Sequence, residues 1–390
     1  MTEKLFYKDP YLCEAEARVV EVLYKEDKVE VILDKTPFYP EGGGQPNDLG
    51  FIEDIPVTYV YEEEEIIYHV MDKAPSNSLV KCRVNYSRRR DHIQQHSGEH
   101  LLSAAFFKLY NAANRGFHLG EDYVTIDIDL KEINEDMIKA VEKRVNEYIY
   151  TNLSVTTFFT NKEEANKLPM RKEVNLEGNV RIVNLGDIDY CACCGTHVVR
   201  TGEIGLVKII KTEKNKGMTR VYFNCGERAM KDYMKKQDIL NELSKMLSIG
   251  EESIINKISA QKEELTEIKK QLLEYKRAEA FKEAEVLEAQ AENKIIFKIF
   301  KEREFEFLEQ VYDSVKEKEY ILVIASGIDN QLMFAHNGSF PLECGKIFKE
   351  NLKSFNGKGG GNSKRAQARF EQLEDLEGFC YKIRTLVETL

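Results

Sequence analysis

Two short clusters in this 390-residue sequence bring together side chains that bind metal ions. His96-Ser97-Gly98-Glu99-His100 spaces two imidazoles four residues apart. On a helix that spacing puts both rings on one face, about 6 Å apart along the axis, where they can grip one ion. His92 extends the stripe by a turn. A straight helix cannot bring three such rings to one metal, so one is surplus. Cys193-Cys194-Gly195-Thr196-His197 adds a thiolate and a further imidazole. Two His with a Cys and a His are a suitable N/S donor set for Zn²⁺. Cys193 is the preferred thiol, but Cys191 and Cys194 compete with it and spacing does not choose. Four protein ligands close a site unless one is displaceable, whereas hydrolysis needs a position for water. The plainer reading of the first cluster alone is a helix presenting histidines to solvent or RNA.

His96 to His100 also satisfies H-x-x-E-H, a metalloprotease pattern with Glu99 as base. That reading leaves the Cys/His cluster without a role, which counts against it. Residues 36–46, from Thr36 to Pro46, form a loop broken by Pro and Gly. It lacks the Gly-Lys-Ser/Thr of a phosphate-binding loop. Its glycines allow close backbone approach to a substrate, with Gln45 as the hydrogen-bonding side chain. Two basic clusters suit a phosphate backbone: Arg88-Arg89-Arg90, and Lys346 to Arg369, which includes Lys358, Lys364 and Arg365 and faces only Glu350.

These groups must be positioned by two to three domains, the number this length predicts. A net charge of −11 excludes indiscriminate coating of nucleic acid but leaves room for local basic patches. Trp is absent, mean hydropathy is −0.45, and no apolar run approaches the ~20 residues of a membrane helix. The N-terminus has no apolar signal region, and eight cysteines suit reduced thiols, so a cytoplasmic protein without membrane contact is expected.

The pattern predicts an α+β multidomain fold in four parts. Residues 1–88 alternate as short strands around turns, a small β-barrel. Residues 89–228 mix strands with helices at His92 to Leu109 and Asn134 to Thr151, an α+β domain. Residues 229–293 form a helical arm, where Ile254, Ile258, Gln261, Leu265, Ile268, Leu272 and Tyr275 keep a coiled-coil heptad. Residues 294–390 form a C-terminal α/β domain. Its strands are at Tyr320 to Ser326 and Gln331 to His336, with helices at Glu343 to Ser354 and Ala366 to Glu388. A Gly-rich loop, residues 356–365, lies between those helices.

Phe38-Tyr39-Pro40-Glu41-Gly42-Gly43-Gly44-Gln45-Pro46, His96-Ser97-Gly98-Glu99-His100-Leu101-Leu102 and Cys193-Cys194-Gly195-Thr196-His197-Val198 occur in that order. With Gly359-Gly360-Gly361-Asn362 near the C-terminus, they make the chain resemble, over its whole length, the long-form alanyl-tRNA editing proteins (AlaX family). These are relatives of the editing and C-terminal domains of alanyl-tRNA synthetase.

The resemblance implies a zinc-dependent hydrolase, with one Zn²⁺ per chain, that cleaves the ester of tRNA(Ala) mischarged chiefly with serine, and with glycine second. It implies His96, His100, Cys193 and His197 as ligands, with Gln45 and Thr36 at the editing pocket as partners for the seryl hydroxyl. Glu99 is a candidate base by its place on the helix. The C-terminal cluster would hold tRNA, and the arm or C-terminal domain would pair two chains. Cys194 departs from the family's usual Gly, and Glu99 stands where many relatives have Thr or another small residue. No synthetase core precedes the barrel, so editing in trans is expected. Whether the ion activates the attacking water or only orients the ester stays open. The non-enzyme alternative is a tRNA-binding or dimerisation protein with structural zinc.

Overall fold

The computed structural model describes residues 1–175 and 178–389. The chain is a mixed α+β protein of two compact units, residues 1–242 and 243–390.

Six strands ahead of the first long helix form one sheet: β1 (Glu14–Tyr24), β2 (Val29–Leu33), β3 (Gly50–Ile52), β4 (Ile55–Glu63), β5 (Ile66–Met71) and β6 (Leu79–Val84). They close on themselves in the order β1-β2-β5-β4-β3-β6, every pair antiparallel. Period-two sequence explains this. In β6, Val80, Cys82 and Val84 point inward while Leu79, Lys81 and Arg83 face water. Phe38 and Tyr39 of the Gly-rich segment pack into the same core.

Helix α1 (Tyr86–Tyr110) follows at once. It starts six residues before the expected His92, because Asn85 caps it by accepting from the Arg88 amide at 3.1 Å. The arginine triplet therefore lies in its first turns. Arg89 is wholly buried: its guanidinium pairs with Asp48 and donates to the Pro10 and Pro37 carbonyls. The expectation that Arg89 contacts RNA is corrected accordingly, since this cation ties the helix to the closed sheet. Arg90 is exposed, and Arg88 is half-buried with Nε on the Asn47 carbonyl at 3.0 Å.

From Arg89 to Phe106, α1 is buried on nearly every side. It contacts β7 (Asn114–Leu119), β8 (Val124–Ile128) and the amphipathic α2 (Glu135–Tyr150), which turns Val141, Val145 and Ile149 inward. Strand β9 (Val155–Thr160) pairs with β10 (Val180–Leu185), which pairs with β11 (Tyr190–Ala192). A four-stranded sheet runs β12-β13-β8-β7, with β12 spanning Val207–Asn215 and β13 Met218–Cys225. Gly98 lets α1 lie against this sheet, since a Cβ there would come within 2.2 Å of Cys225 Sγ. Helix α3 (Gly226–Leu247) leads out of the unit.

In the second unit, α4 (Ile254–Ala289) exposes Ile258, Leu265, Ile268, Leu272 and Tyr275 of the heptad. Its C-terminal part buries Ala280, Ala284 and Leu287 in a core shared with α5 (Phe305–Val315). The sheet runs β14 (Ile295–Phe300), β15 (Ile321–Ser326), β16 (Gln331–His336), β18 (Arg365–Arg369) and β17 (Lys358–Gly361) in spatial order. Helices α6 (Cys344–Asn351) and α7 (Leu373–Glu388) complete it.

Two sequence expectations are corrected here. Four residues of the Gly-rich loop, Lys358–Gly361, form strand β17, and residues 366–369, expected as helix, belong to β18. Ala366 and Ala368 are buried in alternation with Gln367 and Arg369, a period of two that the helical reading overlooks.

Removing the Arg89 side chain as Arg89→Ala should lower stability by about 3–5 kcal/mol, because Asp48 would be left as an uncompensated buried charge. Urea unfolding of the variant checks this. A loss below about 1 kcal/mol would show that the pair does not secure α1.

Candidate metal centre

Helix α1 and the segment after β11 supply the four groups that converge. One ligand atom each from His96, His100, Cys193 and His197 lies within 4.8 Å of the others. The His96 and His197 ring centroids are 4.6 Å apart, and those of His100 and His197 are 4.8 Å apart. Cys193 Sγ sits 3.4 Å from His96 Nε2 and 3.3 Å from His197 Nε2.

The far nitrogen of each ring has its own partner. Gln45 Oε1 accepts from the Thr196 amide at 3.1 Å and faces His96 Nδ1 at 2.9 Å. A backbone N–H can only donate, so the Gln45 atom is an oxygen and His96 Nδ1 carries the proton. Asp189 Oδ2 lies 3.3 Å from His100 Nδ1, and Ser97 Oγ lies 3.3 Å from His197 Nδ1. Each ring thereby turns Nε2 toward the cluster, the arrangement that fixes tautomer and orientation in metal-binding histidines.

Asp189 is buried between β10 and β11 and receives both arms of Arg171, at 2.6 and 2.9 Å. Burial opposes its charge, but the bonds from His100 and Arg171 prevail and hold the carboxyl at about 2. For Cys193, burial would raise the thiol. The neighbouring imidazoles overcome this and pull it well below its ordinary value, favouring thiolate. Burial lowers His197 to about 3, so its ring is neutral, the form that ligates.

The ligand segment is pinned from below. Arg181 on β10 donates to the carbonyls of Cys193 at 2.8 Å and Gly195 at 2.9 Å, and stacks over Tyr7. Gly195 is required by closeness: a Cβ would meet His96 Cε1 at 2.1 Å. Of the competing thiols, Cys191 groups with His100 and Asp189, while Cys194 is exposed. Cys193 alone joins all three rings, and the set of three imidazoles and one thiolate fits Zn²⁺. His92, the surplus ring, is buried with Nδ1 unpartnered and outside the group.

His96, His100 and Cys193 form one wall of a cavity of about 570 Å³, also lined by Gly43, Glu99, Asn114, Arg115, Phe117 and Lys172. Glu99 Oε1 accepts from Ser103 Oγ at 2.6 Å and Asn114 Nδ2 at 2.8 Å. Thr36 is placed differently. His69 Nδ1 lies 2.9 Å from the Val31 carbonyl, so that nitrogen donates and Nε2, 2.8 Å from Thr36 Oγ1, accepts the threonine proton. Burial lowers His69 to about 4, which keeps it neutral. Thr36 Oγ1 also accepts from the Phe38 amide. The two groups expected to bond a seryl hydroxyl are thus engaged in shaping the site, Thr36 at the base of the loop and Gln45 behind His96.

Sequence reasoning missed Asp189, Arg171 and Arg181. Each acts through a contact formed between distant segments, and no local spacing announces it.

In the second unit the predicted basic residues lie on the edge hairpin β17–β18. Lys358, Lys364 and Arg369 are exposed, with Lys358 3.5 Å from Glu371. Arg365 is half-buried, paired with Glu309 at 2.8 Å and stacked over Tyr312.

Known families show the same combination of parts. Residues 5–88 match the family of class II (A) tRNA synthetases, and residues 180–222 match the second additional domain of threonyl and alanyl tRNA synthetases. The chain is 32% identical to the alanyl-tRNA editing protein AlaX-L of Pyrococcus horikoshii over 95% of each protein. It is 27% identical to the alanyl-tRNA editing protein Aarsd1-B of Xenopus laevis, over 92% of this chain and 89% of that one. It is also 28% identical to alanine–tRNA ligase of Pyrococcus furiosus, over 98% of this chain but 43% of the ligase. The matched domains are those of tRNA synthetases and of their alanyl-tRNA editing relatives. The chain belongs to the alanyl-tRNA editing protein family.

Asp189→Asn should weaken metal binding about 10- to 100-fold, the usual effect of losing a carboxylate behind a ligating histidine. Competition with a chromophoric zinc chelator measures this, with circular dichroism confirming the fold. Unchanged affinity would remove Asp189 from the centre.

Proposed function

We propose that this protein is a zinc-dependent aminoacyl-tRNA hydrolase acting in trans in the cytoplasm. It deacylates tRNA(Ala) mischarged chiefly with serine, and with glycine as the second substrate. The observation that carries this reading is the convergence of His96, His100, Cys193 and His197, the first three of which line an open cavity. The cavity brings an ester beside the cluster, and displacement of one of the four ligands would open a position on the ion for the ester or a water.

Bound Zn²⁺ would supply Lewis-acid polarisation of an ester carbonyl or a water. The chain's own residues do the rest. Gln45, Asp189 and Ser97 hold the three rings, and Phe117 packs 5.0 Å from His96 and shields it from water. Glu99 is the carboxylate placed to act on the substrate. Arg115 and Lys172 at the cavity give the RNA end a cationic approach. Arg88 and Arg90 extend that approach along α1.

Within the two compact units we keep four parts as a proposal: a closed N-terminal sheet, an editing domain, a helical arm and a C-terminal domain. On the last, Lys358, Lys364, Arg365 and Arg369 hold tRNA phosphates. Two chains pair through the exposed heptad of α4 or the C-terminal domain, a stripe of exposed Leu and Ile being the support. No helix among the described residues is long and apolar enough to cross a membrane.

The direct test is deacylation of Ser-tRNA(Ala), Gly-tRNA(Ala) and Ala-tRNA(Ala) by wild type beside Cys193→Ala. Selective release of serine, lost in the folded variant, is the expected result. Zinc-loaded, folded protein that releases nothing would return the chain to a binding module. Chelation separates the same alternatives: structural zinc predicts unfolding of the editing domain, catalytic zinc a folded but inactive one. Neutralising Lys358, Lys364 and Arg369 should weaken tRNA binding and flatten its salt dependence, by about 0.9 per lost duplex phosphate contact. An unchanged slope would exclude the hairpin from the RNA contact.

A further inference from the structure

An aminoacyl ester carries a feature that the metal ligands do not address. Its α-ammonium group sits on the carbon next to the carbonyl under attack. Moving that cation out of water without a partner is strongly unfavourable, so the cavity needs an acceptor close to the reacting carbonyl. Most of the charged groups lining it have the wrong sign: Arg115, Arg171 and Lys172. Two carboxylates also line it, Glu99 and Glu173. Glu173 is exposed, whereas Glu99 is only 5% exposed and lies beside the ligand histidines.

The Glu99 carboxylate is held at one end and open at the other. Oε1 takes the two hydrogen bonds from Ser103 and Asn114, which fix the side chain's direction. Oε2 lies 3.8 Å from His100 Nε2, too far for a hydrogen bond, and no donor among the described residues reaches it. A free carboxylate oxygen is thus presented to the cavity beside a group of the metal set. An ester whose carbonyl lies at the cluster carries its α-nitrogen one carbon away, close enough to be placed at this oxygen.

We propose that Glu99 is the anchor for the α-ammonium of the aminoacyl group rather than a base acting on water. This inference rests on the reading of the cavity as an aminoacyl-ester site. It makes the enzyme selective for esters with a free amine and fixes which face of the carbonyl is presented. A base would be indifferent to the amine.

The probes are two non-hydrolysable adenosine 3′-amides, one carrying a seryl group and the other a 3-hydroxypropanoyl group, which lacks only the amine. Calorimetry with zinc-loaded wild type should show the seryl amide binding about 10- to 100-fold tighter, the range of a charge-assisted hydrogen bond. Glu99→Gln preserves an acceptor for Ser103 and Asn114. It should lose most of that preference while still binding the 3-hydroxypropanoyl amide, with zinc content and circular dichroism unchanged.

Equal binding of both amides by wild type would overturn the anchor and leave the site reading intact, and this comparison needs no variant. A preference that survives in Glu99→Gln would overturn it as well. If in addition that variant no longer hydrolysed Ser-tRNA(Ala), Glu99 would be the base instead. Binding of neither amide by wild type would remove the aminoacyl site itself, and the anchor with it.

Discussion

Everything in the first unit depends on bringing three imidazoles and a thiolate to within 4.8 Å of one another. Such a set is unfavourable unless each ring is held by something other than the ion, because desolvated nitrogens without partners lose their hydrogen bonds to water. The protein meets this with three acceptors from three places: Gln45 from the Gly-rich segment, Asp189 from the β10–β11 turn, and Ser97 from α1 itself. The centre is therefore a meeting point of the closed sheet, the buried helix and the small three-stranded sheet.

That dependence explains why α1 is so deeply buried. A surface helix would leave His96 and His100 free to rotate, and nothing would fix their tautomers. Instead the helix is fastened at its start by the Arg89–Asp48 pair and lies close on β13 at Gly98. Arg181 sets the height of the opposing segment, so that Gly195 passes His96 at contact distance. Small backbone features at both ends thus determine whether the four donors meet.

The cavity beside the centre has an uneven charge distribution. Cationic side chains suit a polyanionic RNA end, while the Glu99 carboxylate stands 3.8 Å from His100 Nε2. This division matches the substrate proposed above, which is negative along its phosphates and positive at its aminoacyl tip. In the second unit the same logic operates on an edge hairpin, where Lys358, Lys364 and Arg369 face solvent while alternate residues enter the core.

Much of this was legible in the sequence. Histidines at i and i+4 and the Cys/His pair declare ligand chemistry because helical periodicity and local spacing are short-range properties. Alternation in β6 and the apolar face of α2 are legible for the same reason. The fate of Arg89 was not, since three consecutive arginines read as a surface patch until a distant carboxylate, Asp48, takes one of them inside. Residues 358–369 misled in the same way: glycines suggest a loop, and only pairing with β18, itself paired with β16, makes a sheet edge of them. The convergence of Cys193, rather than Cys191 or Cys194, with the three rings, and the recruitment of Asp189, Arg171 and Arg181, belong to the tertiary structure. Residue type and spacing determine what a side chain can bind; which partner it finds depends on contacts between segments that can lie more than a hundred residues apart, and only the folded chain sets those.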